Sequence, residues 1–208
     1  MTFKRLLAHP GVEEVCELRG SFGFMAFHGG SLEKHTDVIA RLAAERTGAS
    51  YYGVHQPPNL NWHIDSHKIC PSASAVLASF IHHVDVVITI HGYGRTGLFT
   101  TLLLGGKNRE LATHVAKHLQ SWLPTYDIEH DLQQIPTDLA GQHHLNPVNL
   151  PRGGGVQIEL PPRVRGSGPH WKDWRGPALT PHTQALVEGL TAAAASWSAL
   201  VPHARLRS

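Results

Sequence analysis

The chain has 208 residues, of which 41% are hydrophobic and 16% are charged, so it can bury a substantial core and is neither a disordered nor a coiled-coil protein. Its net charge of +2, with histidine neutral, excludes the strong positive field of a nucleic-acid binder or of a protein drawn to anionic membranes. No apolar run reaches the roughly 18 residues of a membrane span, and the N-terminal segment lacks the apolar core of a signal peptide.

Strand and helix patterns alternate along the chain. Short apolar runs predict strands over residues 22–28, 50–55, 85–91, 98–104, 126–135 and 156–160. Apolar residues at helical spacing predict helices over 31–47, 72–83, 108–122 and 180–199. Ser31 is the expected N-cap of the first helix, and Gly48 is expected just after its end. The strand over 85–91 is continuous and β-branched, which predicts burial on both faces in the middle of a sheet.

This alternation, without an internal repeat or a linker, predicts a single α/β domain over residues 1–208. The expected architecture is a three-layer α/β/α sandwich around a central mixed, mostly parallel sheet. Without a signal peptide or a membrane span, the chain is expected to be a soluble, cytoplasmic monomer with no nucleic-acid or membrane partner. If it is derived from a phage, it could act outside the cell after lysis.

Histidine is the outlying feature of the composition, with 17 residues. It is the commonest metal ligand and the usual proton carrier near neutral pH, so this excess favours a metal site. Many of these histidines are nevertheless expected on the surface, including the pairs His82-His83 and His143-His144. Only two cysteines are present and they form no CxxC pair, which argues against a thiolate zinc site and against a disulfide framework.

Two of the predicted strands end in a histidine followed by glycine. His28 precedes two glycines, and His91 precedes Gly92. Ligands bind beyond the carboxyl ends of strands in open α/β sheets, so parallel neighbouring strands would bring both imidazoles into one crevice. Glu33 is expected in the first turn of the helix after His28, where the helix dipole favours a carboxylate. Two histidines and one carboxylate, with a fourth position open to water, form a known arrangement of catalytic zinc.

Each of these residues also has a simpler interpretation. His28 and His91 are also compatible with hydrogen-bonded strand ends, and Glu33 with an ordinary acidic residue of a first helical turn. The combination on two strand ends favours the metal site. If Glu33 is not a ligand, the alternatives nearby are His35, Asp37 and His67.

Glu159 lies within the apolar strand predicted over 156–160, where an unpaired charge would be costly. Strand alternation places Gln157 and Glu159 on one face and the apolar residues on the other. A carboxylate there can be a buried salt-bridge partner. It can also be the general base that takes a proton from a zinc-bound water, whose pKa the metal lowers to about 7.

Five motifs occur in an order that resembles the phage and bacterial poly-γ-glutamate hydrolase family, which is similar in fold to zinc carboxypeptidases and aspartoacylase-type deacylases. The resemblance covers about residues 20–165. Its motifs are His28-Gly29-Gly30 with Glu33, Ile90-His91-Gly92, Gly105-Gly106, Asn146 to Asn149, and Gly155-Val156-Gln157-Ile158-Glu159. The stretch His63-Ile64-Asp65-Ser66 also resembles a His-Ile-Thr-Ser segment of the family, with Asp65 in place of threonine.

The resemblance implies a zinc hydrolase, with one Zn²⁺ per chain, that cleaves γ-glutamyl amide bonds in a polyanionic γ-linked glutamate polymer. It implies His28, Glu33 and His91 as ligands and Glu159 as general base. Carboxypeptidases space their first ligands His-x-x-Glu, whereas four residues intervene here.

Substrate contacts are harder to transfer from the family than the metal ligands. Arg165 follows Glu159 at the family's spacing, whereas Arg163 and Arg152 are candidates for carboxylate binding by proximity alone. His63 and Ser66 are further candidates for substrate binding, from the His-Ile-Thr-Ser resemblance.

Two alternatives stay open from the sequence. The first keeps the zinc site but changes the substrate to a short N-acyl amino acid or peptide. The second is a non-catalytic metal-binding or ligand-binding domain. Glu159 argues against the second, because a pure binding site needs no base.

Overall fold

The computed structural model of the protein describes residues 2–176 and 179–200, with the side chains of 198–200 excepted. Met1, residues 177 and 178, and the tail 201–208 lie outside the described residues. Within the described ranges the strands are β1 (Glu13–Glu17), β2 (Gly20–Gly30), β3 (Ala49–Gln56), β4 (Val86–Gly92), β5 (Thr101–Leu104), β6 (Asp127–Glu129) and β7 (Gly155–Leu160). The α-helices of the same ranges are α1 (Phe3–Leu7), α2 (Thr36–Thr47), α3 (Ala75–His83), α4 (Arg109–Trp122) and α5 (Pro181–Leu200).

The strands form one sheet in the order β1-β3-β2-β4-β7-β5-β6. Neighbours are parallel except at two pairs, β1 with β3 and β5 with β7, which are antiparallel. The predicted mixed, mostly parallel sheet is therefore confirmed. The strands that carry His28, His91 and Glu159 are β2, β4 and β7, consecutive and parallel to one another. Their carboxyl ends consequently lie side by side at one edge of the sheet.

Helices cover both faces of the sheet, which confirms the three layers. On one face α2, α4 and α5 bury residues such as Ala43, Leu111 and Leu190 against the sheet. On the other face α1 and α3 bury Phe3 and Phe80. Strand β4 lies in the middle with both faces buried, as its continuous apolar run predicts. None of the described helices has the length and the apolar character that crossing a bilayer requires.

Helix α2 begins later than the predicted position after Ser31. The Ser31 hydroxyl donates to the carbonyl oxygens of Pro57 and Leu60, at 2.8 and 2.5 Å, and so caps no helix. His35, in the left-handed conformation at φ 71°, is the residue that precedes the helix. The prediction that Glu33 lies in the first helical turn is therefore wrong, because Glu33 lies in the loop before it. The predicted end is confirmed, since Gly48 stops the helix in the left-handed conformation.

Two strands are shorter than the sequence predicts. Strand β5 starts only at Thr101, because the Leu98 N–H closes a turn onto the Arg95 carbonyl. Strand β6 ends at Glu129, because Asp131 accepts backbone hydrogen bonds in a tight turn beyond it. Strand β1, which the sequence analysis missed, has three glutamates among its five residues. Charged residues are common on edge strands, and they hide the apolar alternation of a strand.

Candidate metal centre

His28 stands at the carboxyl end of β2, where the register against β3 shifts by one residue. Such a bulge re-aims side chains and interrupts the alternation of the strand. Phe27 and His28 accordingly both contact His91, with ring centroids 4.8 and 5.0 Å apart. His28 is buried, and its Nε2 lies 2.9 Å from the carbonyl oxygen of Ile64. The hydrogen bond at Nε2 thus fixes the imidazole with its Nδ1 directed towards Glu33.

Glu33 lies between the two histidines. Its N–H donates to the His28 carbonyl at 2.9 Å, which folds the loop back onto the strand. Its Oε1 lies 2.9 Å from His28 Nδ1, and its Oε2 lies 3.4 Å from His91 Nδ1. The Gly92 N–H also donates to Oε2 at 2.8 Å. The loop therefore brings the Glu33 carboxylate to the strand ends, where the predicted helical turn was expected to place it.

The chemistry of these three donors fits a cation. The Ile64 carbonyl can only accept, so His28 carries a proton on Nε2 and the neutral ring has its lone pair on Nδ1. That lone pair faces a carboxylate oxygen at 2.9 Å, and two acceptors at this distance need a positive charge between them. His91 Nε2 is also buried without a hydrogen-bond partner among the described residues. A second proton on His28 or a metal ion would satisfy the pair.

The three donor residues are buried and lie close together. Ligand atoms of His28, Glu33 and His91 lie within 4.8 Å of one another, and this is the one such group among the described residues. Burial alone would raise the pKa of Glu33, but the attraction of His28 and His91 and their hydrogen bonds outweigh it and hold the pKa well below its ordinary value. The carboxylate stays ionised, as a metal ligand must. These residues could hold one metal ion.

Glu159, the predicted general base, lies on β7 opposite His91 on β4. The residue is 5% exposed. Burial raises its pKa to about 7, with Glu33 adding to the rise and His91, Gln157 and Arg165 opposing it. A carboxyl group with a pKa near neutrality can both accept and return a proton. The position and the pKa suit a general base beside the three donors.

A buried amide chain holds Glu159 in place. Gln157 Nε2 donates to Glu159 Oε1 at 2.9 Å, and Asn146 Nδ2 donates to Gln157 Oε1 at 2.8 Å. The predicted sharing of one strand face by Gln157 and Glu159 is thus confirmed. Both residues belong to motifs of the family resemblance, but neither had a predicted role. The structure supplies it, because Asn146, eleven residues before Gln157, reaches the strand from a loop.

Arg165 is buried at the same edge of the sheet, against Gly92. Its Nε donates to the Leu160 carbonyl at 3.1 Å and one terminal nitrogen donates to the Lys34 carbonyl at 3.0 Å. Burial lowers the pKa of the guanidinium, and the attraction of Glu33 and Glu159 raises it. A guanidinium with its ordinary pKa far above neutrality stays charged in such a place. The site therefore combines three residues of the types that bind metals, a buried carboxyl group and a fixed cation.

The sequence matches the model of the poly-gamma-glutamate hydrolase family over residues 6–168. The chain belongs to this family. The predicted family and the prediction of an enzyme are therefore confirmed. The alternative of a non-catalytic binding domain is not supported. A comparison with curated proteins found no match.

Solved structures share the fold. A bacteriophage poly-gamma-glutamate hydrolase superposes with a TM-score of 0.76 and 22% identity, over 93% of each chain. A protein named YndL, in its zinc-free form, superposes with a TM-score of 0.71 and 20% identity, over 88% of each chain. N-formylglutamate amidohydrolase from Ralstonia eutropha JMP134 reaches a TM-score of 0.53 at 10% identity, over 92% of this chain and 98% of that one.

In this member of the family, Gly92 sets how closely Arg165 approaches the metal donors. A Cβ at Gly92 would lie 2.5 Å from the guanidinium carbon of Arg165. We expect Gly92→Ala to displace the guanidinium without removing its charge, and to lower kcat/KM about a hundredfold, the usual effect of a small misplacement. Metal content should stay at the wild-type value. Kinetics together with elemental analysis are the check, and wild-type kinetics would show that Arg165 has no part in the reaction.

The other candidates for substrate binding lie at different distances from these donors. The exposed ring of His63 is stacked obliquely 4.9 Å from that of His28, and burial together with His28 lowers its pKa. Ser66 opens a short 3₁₀ turn in the same segment, two residues after Ile64. Arg163 instead lies over the ring of Tyr126, at 5.9 Å. His63 is therefore the best placed of these three.

Arg152 lies at the opposite edge of the sheet. It forms an ion pair with Asp85, which directly precedes β4, and it precedes the start of β7. The length of a strand, about 3.3 Å per residue, separates it from the carboxyl ends that carry His91 and Glu159. The structure does not bring Arg152 together with the other candidate residues.

The three alternative ligands have other partners. His35 Nδ1 lies 2.6 Å from the Arg165 carbonyl, and the ring of His67 lies 4.6 Å from that of His143. Asp37 accepts hydrogen bonds from the Gly30 and Val38 N–H groups, and His55 Nδ1 lies 2.7 Å from it. The structure brings none of the three into the group formed with His28 and His91.

Proposed function

We propose that the protein is a zinc-dependent hydrolase of γ-glutamyl amide bonds in poly-γ-glutamate. The observation that carries this proposal is the buried group of His28, Glu33 and His91, with the Glu159 carboxyl on the adjacent parallel strand. Membership of the poly-gamma-glutamate hydrolase family supports the substrate class.

Zinc is the proposed metal because of the donor set. Two imidazoles and one carboxylate are the ligands of catalytic zinc sites that leave a fourth position open. Magnesium and calcium would instead favour a shell made of oxygen atoms. A zinc ion at this position would supply Lewis-acid polarisation of the scissile carbonyl and an acidified water.

The chain's own residues supply the rest of the chemistry. Glu159 Oε1 is held by Gln157, which leaves Oε2 to take a proton from the attacking water and to return it to the leaving amine. Arg165 is a fixed cation beside Glu33 and Glu159, suited to a substrate carboxylate or to the developing negative charge of the carbonyl oxygen. His63, exposed beside His28, would border the bound substrate.

The experiment that tests this proposal measures metal and substrate together. Protein purified without a histidine tag should contain about one zinc per chain, by elemental analysis. The zinc-loaded protein should cleave γ-linked glutamate oligomers and lose this activity on chelation, with recovery when zinc is added back. Cleavage of N-acyl amino acids or short peptides alone would favour the other substrate class, and zinc that can neither be found nor restored would reject the metal.

A further inference from the structure

A cavity of about 510 Å³ lies next to the metal donors without including them. Its walls come from the ends of β2 and β3, from the start of α2, and from the loops that precede α2 and follow β3. Because β3 is the neighbour of β2 on the side away from β4, the cavity and the metal donors stand side by side along the same edge of the sheet. A chain molecule bound across the metal donors can extend along this edge into the cavity. The cavity is lined by, among others, Lys34, His35, Asp37, His55, Asn59 and Asn61.

The polar groups of this cavity favour an anion. Lys34, Asn59 and Asn61 are exposed on the open side of the cavity, and their side chains have no hydrogen bond or ion pair within the described part of the chain. The one carboxylate on the wall, Asp37, has its charge met by His55 and two backbone N–H groups. The lysine ammonium and the two amides are therefore the groups left to meet a ligand, and a carboxylate can accept from all of them.

The backbone of the cavity wall is strained at two residues and is held in place by hydrogen bonds. His35 and Asn59 are the two non-glycine residues with positive φ, both at 71°, in the described ranges, and both line this cavity. Backbone strain of this kind persists where the surrounding structure enforces it, and it clusters at ligand sites. The loop that carries Asn59 is tied to Ser31 and closed by hydrogen bonds between the Gln56 side chain and Trp62. The cavity is thus preformed, which lowers the entropy cost of binding.

The backbone from the metal donors to the cavity is rigid as well. Lys34 directly follows the donor Glu33, its carbonyl accepts from Arg165, and the next residue, His35, is bonded to the Arg165 carbonyl. Arg165 thereby fixes the two-residue step between the donor Glu33 and the cavity wall. The Lys34 ammonium consequently lies no farther from the backbone of the donor Glu33 than one exposed side chain can reach.

We propose that this cavity is a subsite for the free α-carboxylate of a glutamyl unit on one side of the bond that is cleaved. The proposal depends on the proposed function, since it assumes a γ-linked substrate with one such carboxylate on every unit. Lys34 would pair with the carboxylate, while Asn59 and Asn61 donate to it. The subsite would make the enzyme prefer substrates long enough to fill both the metal centre and the cavity.

The test compares zinc-loaded variants on γ-linked glutamate oligomers of increasing length. Lys34→Gln removes the charge and keeps most of the length, and we expect it to lower kcat/KM about tenfold on the longer oligomers, as loss of a charge-assisted contact does. The shortest substrate should be unaffected. Asn61→Asp keeps the shape and adds a negative charge, and it should raise KM for the same long oligomers. Lys117→Gln, an exposed lysine on α4, is the matched control and should behave as wild type.

The outcomes separate the two proposals. Wild-type protein that cleaves no γ-linked oligomer of any length overturns the proposed function and the subsite with it. Wild-type cleavage together with wild-type kinetics in Lys34→Gln and Asn61→Asp overturns the subsite alone. A loss that is equal on all lengths also overturns it, because a neighbouring subsite must distinguish long from short substrates.

Discussion

Glu159→Gln is expected to keep the metal and to lower turnover by about a hundredfold to ten-thousandfold, the usual contribution of a general acid–base group. Glutamine has the shape of glutamate but cannot take up a proton at neutral pH. Its side-chain carbonyl can still accept the hydrogen bond that Gln157 donates to Glu159, so the fold should tolerate the change. The measurement is kcat on a γ-linked glutamate oligomer, with zinc content determined on the same sample.

The controls distinguish three roles for this carboxyl. Glu110→Gln, an exposed glutamate in the first turn of α4, should be indistinguishable from wild type. Loss of zinc from Glu159→Gln would make Glu159 a ligand. A large fall in melting temperature with the metal retained would make it a structural ion-pair partner of Arg165 or His91. Only unchanged stability and metal content with lost turnover agrees with a base.

The sequence could predict that the site residues lie on strands, and on which end or face, from rules that operate along a strand. A histidine and a glycine at the end of an apolar run placed His28 and His91 at strand ends, and parallel neighbours share an edge. The alternation of β7 placed Gln157 and Glu159 on one face, away from the apolar core that Ile158 joins. These inferences need only the period of a strand and the direction of its neighbours. The order of the strands could not be derived in that way, and only the structure shows that β2, β4 and β7 are consecutive.

Long-range packing decided what the sequence could not show. Ser31 has the residue type of an N-cap, yet its hydroxyl bonds to carbonyls of a loop far along the chain. Tertiary contacts of this kind override local propensity. Glu33 therefore reached the strand ends from a loop and not from a helix. The strand β1 was hidden by its glutamates for a related reason, because pairing with β3 stabilises it more than its own composition does.

Arg152 shows the limit of proximity along the chain. It is seven residues from Glu159 in sequence, but a strand separates them in space. Arg165, six residues beyond Glu159, is buried against Gly92 because the chain turns back after β7. Similar sequence distances, in opposite directions along the chain, thus end at opposite edges of the sheet. The direction of β7 decides which of the two arginines lies near Glu33 and Glu159.

Substitution of the metal donors should produce the largest loss. His91→Ala and His28→Ala are each expected to reduce zinc from about one per chain to near zero, because three protein ligands leave little redundancy. The fall in affinity should exceed the roughly ten- to hundredfold that follows loss of a partner behind a ligand. Zinc affinity, measured by titration against a chelator, is the direct readout and does not depend on the identity of the substrate.

His35→Ala is the matched control for these substitutions. It removes an imidazole that lies two residues from Glu33 in sequence. The His35 ring is hydrogen-bonded to the Arg165 carbonyl and not to His28, Glu33 or His91. We expect it to bind zinc as wild type does, while its KM rises because Arg165 is held less firmly. Zinc loss in His35→Ala comparable to that in His91→Ala would place His35 among the ligands. Full zinc retention in both His28→Ala and His91→Ala would remove the metal centre from this edge of the sheet, since no other such group of donors lies within the described residues.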